Sequence, residues 1–303
     1  MKRDHLTRRN FGLLAGTSLL SINTGGQTGT GKLTADEVIE RIRQHVGVPW
    51  QAQTVDTFKA GNPGTPVKGI CTTVMATMDV LEQSAASGKN LIITHEPTFW
   101  NHLDETKDFV GDPVYACKQN FIRENDLVVW RFHDHWHRRQ PDGILTGIVN
   151  TLGWSQYQKP DLTAAKGSYQ GRQFFVLPPV SLKELAVTLQ TRLKSRVTRV
   201  VGNPQARVSN VALEPGYSSL AAARKTLERE DVQVLIVGEP REWEGVEYVK
   251  DAVACRGNKA LIILGHVTSE DPGMEACAQW LRTFITEVPI QWIPAGEPFW
   301  TLT

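Results

Sequence analysis

The chain reads as an α/β protein made of two similar α/β halves with a metal site between them. Three observations predict this. Amphipathic helical stretches alternate with short apolar strands along most of the sequence. The segment Ile92-Ile-Thr-His-Glu-Pro-Thr-Phe-Trp100 is echoed by Leu235-Ile-Val-Gly-Glu-Pro-Arg-Glu-Trp243, and both copies end in strand–Glu–Pro–x–x–Trp, the mark of a duplicated unit. Strand ends run directly into polar clusters at His95-Glu96, His133–His137, Glu239, and His266 with Glu270. Open α/β sheets collect ligands and catalytic groups beyond the carboxyl ends of their strands.

Length and charge set outer bounds. A chain of 303 residues suits one large or two medium domains. With 41% hydrophobic and 21% charged residues, it has the composition of a soluble globular protein. Lysine and arginine total 33 against 32 acidic residues, so there is no global electrostatic reason to expect nucleic acid or an anionic membrane as partner. Cys71, Cys117, Cys255 and Cys277 lie far apart without a C-x-x-C. That excludes a zinc ribbon and a dense disulfide framework, and predicts free thiols.

Residues 1–31 read as a signal peptide and linker. Lys2, Arg3, Arg8 and Arg9 precede the apolar run Phe11–Ile22. Such a run rises only about 18 Å as a helix, too short to span a bilayer. Thr7-Arg8-Arg9-Asn10-Phe11-Gly12-Leu13 resembles the twin-arginine export motif. The resemblance implies export of the folded protein through the twin-arginine translocon to a periplasmic or other extracytoplasmic location.

The first half, 32–165, opens with apolar Leu33, Val38, Ile39 and Ile42 at helical spacing, with Thr34 or Asp36 as cap. Gly61–Pro66 reads as loop and Val67–Val74 as strand. Met75–Ala86 reads as a helix stopped by Gly88. Leu91–Thr94 and Leu127–Phe132 read as strands, Pro113–Glu124 and Gly143–Leu152 as helices. The second half, 166–303, repeats the scheme. Ser181 with Glu184 forms a capping box for a helix over Ser181–Ser195. Strands are predicted at Val197–Val201, Val208–Leu213, Val234–Val237 and Ala260–Leu264, and helices at Ser218–Glu228 and Tyr248–Ala254. Asp271-Pro272 is expected to cap and open the last helix, Pro272–Ile285.

Imidazoles and carboxylates at the strand ends suit zinc, iron, manganese or cobalt. If strand geometry continued, His95 and Glu96 would point to opposite sides unless the chain turns at Pro97, and His133, His135 and His137 would face one side. Trp100, Trp130, Trp136 and Trp154 lie near the clusters in sequence, where indoles either stack a flat ligand or pack in the core.

The blocks Gly69–Trp100, Leu127–Gly153 and Val208–Asp271 resemble the NIF-three-like family, dinuclear-metal proteins often labelled type-2 homologues of GTP cyclohydrolase I. The family's Thr-His-His-Pro reads Thr94-His95-Glu96-Pro97 here. Its His-Thr-Asn-x-Asp reads His133-Asp134-His135-Trp136-His137, and its Gly-His-x-x-Ser-Glu is matched in full by Gly265–Glu270. The resemblance implies two divalent metal ions held by His95, Glu96, His137, His266 and Glu270. Two positions depart, Glu96 for a histidine and His137 for an aspartate. The swap is reciprocal and keeps three histidines and two carboxylates, as a retained two-metal site requires. His133, Asp134 and Glu239 are expected behind the ligands, orienting imidazoles or holding a water.

By this resemblance the chain is a metal-dependent hydrolase of a small polar or heterocyclic molecule, with two metals bridging a water. The alternative is a non-catalytic protein that stores or delivers metal. The resemblance also implies ring-shaped homo-oligomers, commonly hexamers. No P-loop, G-x-S-x-G or dinucleotide fingerprint appears in the mature chain. The export reading has a direct test: replacing Arg8 and Arg9 together by lysine should leave the protein in the cytoplasm, and normal periplasmic recovery of that variant would reject it.

Overall fold

A computed structural model describes residues 32–160 and 171–302. The twin-arginine segment and the boundary at 165/166 lie outside the described residues.

The first sheet is built around three parallel strands, β2 (Ile70–Thr73), β3 (Leu91–Thr94) and β4 (Val128–Arg131). They are linked by helices α2 (Met78–Ala86) and α3 (Pro113–Glu124). A short antiparallel strand, β1 (Phe58–Ala60), edges the sheet beside β4. Side chains alternate across it as the pleat demands. Leu91 and Ile93 face one core with Ile70, Val128 and Trp130, against helix α1 (Ala35–His45). Cys71, Ile92 and Val129 face the other, against Val80, Leu81 and Ile122 of α2 and α3.

The second sheet repeats the plan. Strands β8 (Arg207–Ser218), β9 (Val234–Pro240) and β10 (Ala260–Ile263) run parallel, linked by α7 (Leu220–Leu227) and α8 (Glu247–Arg256). Antiparallel strands flank them, β7 (Arg199–Val201) beside β10, and β6 (Gln173–Ser181) with β5 (Gln158–Lys159) beside β8. Val211, Leu213, Val234, Ile236 and Ile262 pack under α6 (Leu182–Leu193) and α5 (Gly143–Leu152). Ala212, Leu235, Val237 and Leu261 pack under α7 and α8. The echoed segments therefore fall on β3 and β9, each the middle strand of its parallel trio.

Two helices tie the halves together. Ile144 of α5 belongs to the first core, and Ile148, Val149 and Leu152 of the same helix belong to the second. Helix α9 (His266–Leu281) places Met274, Cys277, Ala278 and Leu281 in the first core, and also touches β8 and β9. The chain then returns to the first sheet as β11 (Ile290–Trp292), parallel to β2. The end of the second half in sequence thus completes the sheet of the first.

Most predicted elements stand where expected. Thr34, rather than Asp36, caps α1 in a capping box with Glu37, and Ser181 with Glu184 caps α6. Helix α2 starts at Met78, later than predicted, because the Thr77 hydroxyl accepts from the Val80 amide. The strand β6 escaped prediction because Pro178 and Pro179 argue against a strand. The sheet tolerates them where its register shifts, between Val176 and Val180.

Two errors bear on the site. His133–His137 does not continue as strand: α4 (Asp134–Arg138) is a short helix. Its start is fixed from a distant segment, where the Asp56 carboxylate accepts from the amides of His133, Asp134 and His135 at 2.7, 2.9 and 2.9 Å. In the second error, α9 begins at His266, not at Pro272, which lies inside the helix. Gly265, at φ +92°, turns the chain off β10, and burial of Val267 and Met274 carries the helix through the proline.

Helices α5 and α9 cross at Gly147 and Gly273, where a Cβ on Gly147 would collide with the Pro272 carbonyl. Gly147→Ala should therefore cost about 1–3 kcal/mol in denaturant unfolding. Gly64→Ala, which meets nothing closer than 3.5 Å, should change stability by under about 0.5 kcal/mol. Equal midpoints for the two variants would contradict the crossing.

Candidate metal centre

The two corrected elements bring distant histidines together. His133, just ahead of α4, and His137 within it stand four residues apart and converge, whereas His135 turns away. Its Nδ1–H donates to Asp56 at 2.7 Å, its Nε2 accepts from the Gln51 amide at 2.9 Å, and its ring stacks on Trp50 at 3.6 Å. It is a structural residue. In α9, His266 and Glu270 likewise stand four residues apart and share a face.

After Thr94 the chain leaves β3 in a bend that bonds the His95 and Glu96 amides to the Val74 carbonyl. The bend, ahead of Pro97, lets both side chains reach the same site. His95 Nε2 lies 3.1 Å from His137 Nε2 and 3.8 Å from Glu270 Oε2. Glu96 Oε1 lies 3.4 Å from His266 Nε2 and 3.7 Å from His133 Nε2. His266 Nε2 is also 3.2 Å from Glu270 Oε2. The five residues expected as ligands, from both halves, thus converge, and His133, expected behind them, stands among them. Donor atoms of His95, His133 and His137 lie within 4.8 Å of one another, as do those of His95, Glu96 and Glu270.

The hydrogen bonds fix which nitrogen faces inward. Nδ1–H of His95 donates to the Phe132 carbonyl at 3.1 Å, that of His137 to Asp142 at 3.0 Å, that of His133 to Asp134 at 2.9 Å, and that of His266 to Glu239 at 2.9 Å. In the neutral ring, with Nδ1 carrying the proton, each Nε2 presents a lone pair to the centre. The carboxylates there offer only more lone pairs. Such a set does not satisfy itself, and His266 Nε2 and Glu270 Oε2 are buried with no hydrogen-bond partner. A cation at the centre would satisfy them together. The charge balance agrees. Burial, with the positive fields of His133 and His137, holds His95 well below the usual imidazole range, so it stays neutral and able to ligate. Burial would raise Glu96, but neighbouring His266, His133 and Arg131 prevail and hold it at about 2. Burial opposes a charged His266, yet the neighbouring Glu270, Glu239 and Glu96 carboxylates outweigh it and raise the ring.

The surroundings leave room for an ion. A register shift in β8 between Glu214 and Tyr217 presents Gly216 at φ +71°, and any side chain there would collide with Glu270. Buried Arg131 spans the floor, donating Nε–H to the His95 carbonyl at 2.9 Å and Nη2–H to Glu96 at 3.2 Å. The sequence reading did not name Asp142, Arg131 or Asp56. Only Asp142 had a visible signal, its place as cap of α5, where it accepts from the Leu145 amide at 3.0 Å while its other oxygen holds His137. His102, which had no sequence context, stands with its ring 6.1 Å from that of His133.

The two glutamates of the echo meet on one ring. Glu96 approaches Nε2 of His266 and Glu239 holds its Nδ1. Duplication has placed corresponding carboxylates on either side of a single imidazole.

Known proteins resemble the chain over nearly its whole described length. It is 26% identical over 226 residues to a GTP cyclohydrolase 1 type 2 homolog of Clostridium acetobutylicum, covering 73% of this chain and 79% of that one. A protein of the same description from Chlamydia pneumoniae is 24% identical over 252 residues, covering 80% and 90%. The crystal structure of a Bacillus cereus protein related to NIF3 superposes with a TM-score of 0.71 at 13% identity, covering 90% of this chain and all of that one. The family described as Duf34/NIF3 (NGG1p interacting factor 3) matches residues 33–295, and the chain belongs to that family.

Proposed function

We propose that the chain is a dinuclear metal-dependent hydrolase acting on a small polar or heterocyclic substrate. The observation that carries this is the convergence of inward Nε2 lone pairs on two buried carboxylates, with His266 Nε2 and Glu270 Oε2 left without hydrogen-bond partners. On this reading His95, Glu96, His137, His266 and Glu270 hold two divalent ions, zinc, iron or manganese, with His133 as a further donor. The relatives' description as homologues of GTP cyclohydrolase 1 supports a heterocyclic substrate. We also propose that the protein is exported folded to the periplasm and works as a ring-shaped homo-oligomer.

Bound by these residues, such ions would lower the pKa of a water and polarise the bond under attack. The chain's own groups do the rest. Phe132, Asp134, Asp142 and Glu239 hold the four imidazoles at Nδ1 and so direct Nε2 toward the centre. Arg131 orients Glu96. Glu239 is half exposed, and with Oε1 on His266 it has Oε2 to accept a proton from the attacking water.

His266→Ala or Glu270→Ala should lower bound metal to one ion or none per chain with the fold kept. Elemental analysis finding two ions in both variants would sink the assignment. The wild type, loaded with zinc, manganese or iron, should turn over at least one member of a panel of phosphoesters, amides and formamide-bearing heterocycles; no turnover at all would favour metal storage. Asp142→Ala leaves every proposed ligand in place and should weaken metal binding roughly 10- to 100-fold in a chelator competition. Unchanged affinity would remove the role given to Asp142.

A further inference from the structure

We propose that Trp100 is the stacking platform for a planar heterocyclic part of the substrate; the inference rests on the hydrolase reading and names the chemical class it would act on.

Trp100 is a bulky residue at φ +66°, in the left-handed region that side chains other than glycine rarely adopt. It is also 50% exposed. An apolar ring held outward at a conformational cost is the reverse of what packing alone would select, and such strain collects at ligand sites. The turn that imposes it is over-determined. The Phe99 amide donates to Asp104 Oδ1 at 2.7 Å, the Asn101 amide to the Phe99 carbonyl at 3.0 Å, and the Glu105 amide to Asn101 Oδ1 at 3.0 Å.

This turn is tied to the metal-facing residues. Arg131, which grips Glu96 and the His95 carbonyl, also donates to the His102 carbonyl and lies 3.8 Å from Asp104. Trp100 follows Glu96 by four residues, a reach of at most about 14 Å. The turn adjoins the centre: His102, two residues after Trp100, has its ring 6.1 Å from that of His133, which is partly exposed. The indole is fixed from beneath, with Lys118 Nζ 5.4 Å from its centre and Phe109 edge-on at 5.3 Å. Its exposed part is available to stack on a flat ring. A heterocycle carrying an anionic group would then lie with the ring on Trp100 and the anion toward the cations.

The test uses metal-loaded protein and three probes, adenosine 5′-monophosphate, ribose 5-phosphate and adenosine, with binding read by calorimetry and indole quenching. The wild type should bind the nucleotide roughly tenfold or more tighter than ribose 5-phosphate, the size of effect that one base–aromatic stack gives. Trp100→Ala should abolish that preference while metal content and ribose 5-phosphate affinity stay unchanged, and Trp100→Phe should restore most of it. A preference for the nucleotide that survives in Trp100→Ala would overturn the proposal. So would a change in the variant's mass in solution with the preference intact, which would make Trp100 a contact between copies. Adenosine quenching of the metal-free protein separates the two readings. If the protein holds no metal but quenching occurs and is lost in Trp100→Ala, the hydrolase reading fails and the stacking site stands. If the variant is quenched like the wild type, the stacking site fails whatever the metal content.

Discussion

Lone pairs brought together in a buried space repel, and the centre of this molecule is organised around that fact. Four imidazoles have Nδ1 committed to an acceptor outside the centre, so Nε2 turns inward. Glu96 and Glu270 fill the remaining space with more electron pairs. Water cannot dilute the repulsion where most of the side chains are buried, and a low local dielectric makes each unmet pair costly. Only positive charge relieves it. Protons do so in part, at His266 and His137, whose rings are raised, but they leave His95, which burial keeps neutral. The groups that hold Nδ1 therefore matter as much as the inward atoms, because they decide that the inward atoms are bases.

The fold keeps this arrangement by spreading it over elements that cannot move independently. His95 and Glu96 leave β3 in the first sheet, and His266 and Glu270 start α9 at the end of the second. Helix α9 is buried along most of its length, against Met274, Cys277, Ala278 and Leu281 on one side and the strands of the second sheet on another. Burial of Met274 and of Leu281 contributes about 1.5–3 kcal/mol each. The glycines at the α5–α9 crossing allow the close approach, and β11 returns to the first sheet, so the chain closes on itself across the site. A duplicated unit with a single centre needs such a bridge. The glutamates of the two copies, Glu96 and Glu239, work from opposite sides of His266 instead of building two separate sites.

Much was legible beforehand because it depends on local periodicity. The buried runs Leu91–Thr94 and Val234–Val237, the cap of the first helix at Thr34 or Asp36, the capping box at Ser181 and the helix Gly143–Leu152 are short-range effects, and the structure keeps them, with Thr34 as the cap. The misreadings share a cause. Period-two spacing in His133–His137 suggested a strand, but Asp56, remote in sequence, supplies the acceptor that starts a helix there. Pro272 carries the usual sign of a helix start, yet the helix begins six residues earlier (266 against 272) under burial from both halves. The prolines in Gln173–Ser181 argue against a strand and are accommodated by a shift in sheet register. In each case the folded context outweighed a local preference, about 3 kcal/mol for a proline inside a helix.

The sequence by itself determined the alternation of strands and helices, the duplication, and the residue types that make a metal centre chemically reasonable, because these follow from side-chain identity and spacing. Only the tertiary structure decided which of those side chains meet. It turned His135 away onto Trp50 and Asp56, brought His133 inward, and set Asp142 behind His137. The physical reason is range. A cap or a pleat is settled within a few residues, whereas the direction of a histidine lone pair is settled by whichever acceptor the folded chain carries to its other nitrogen.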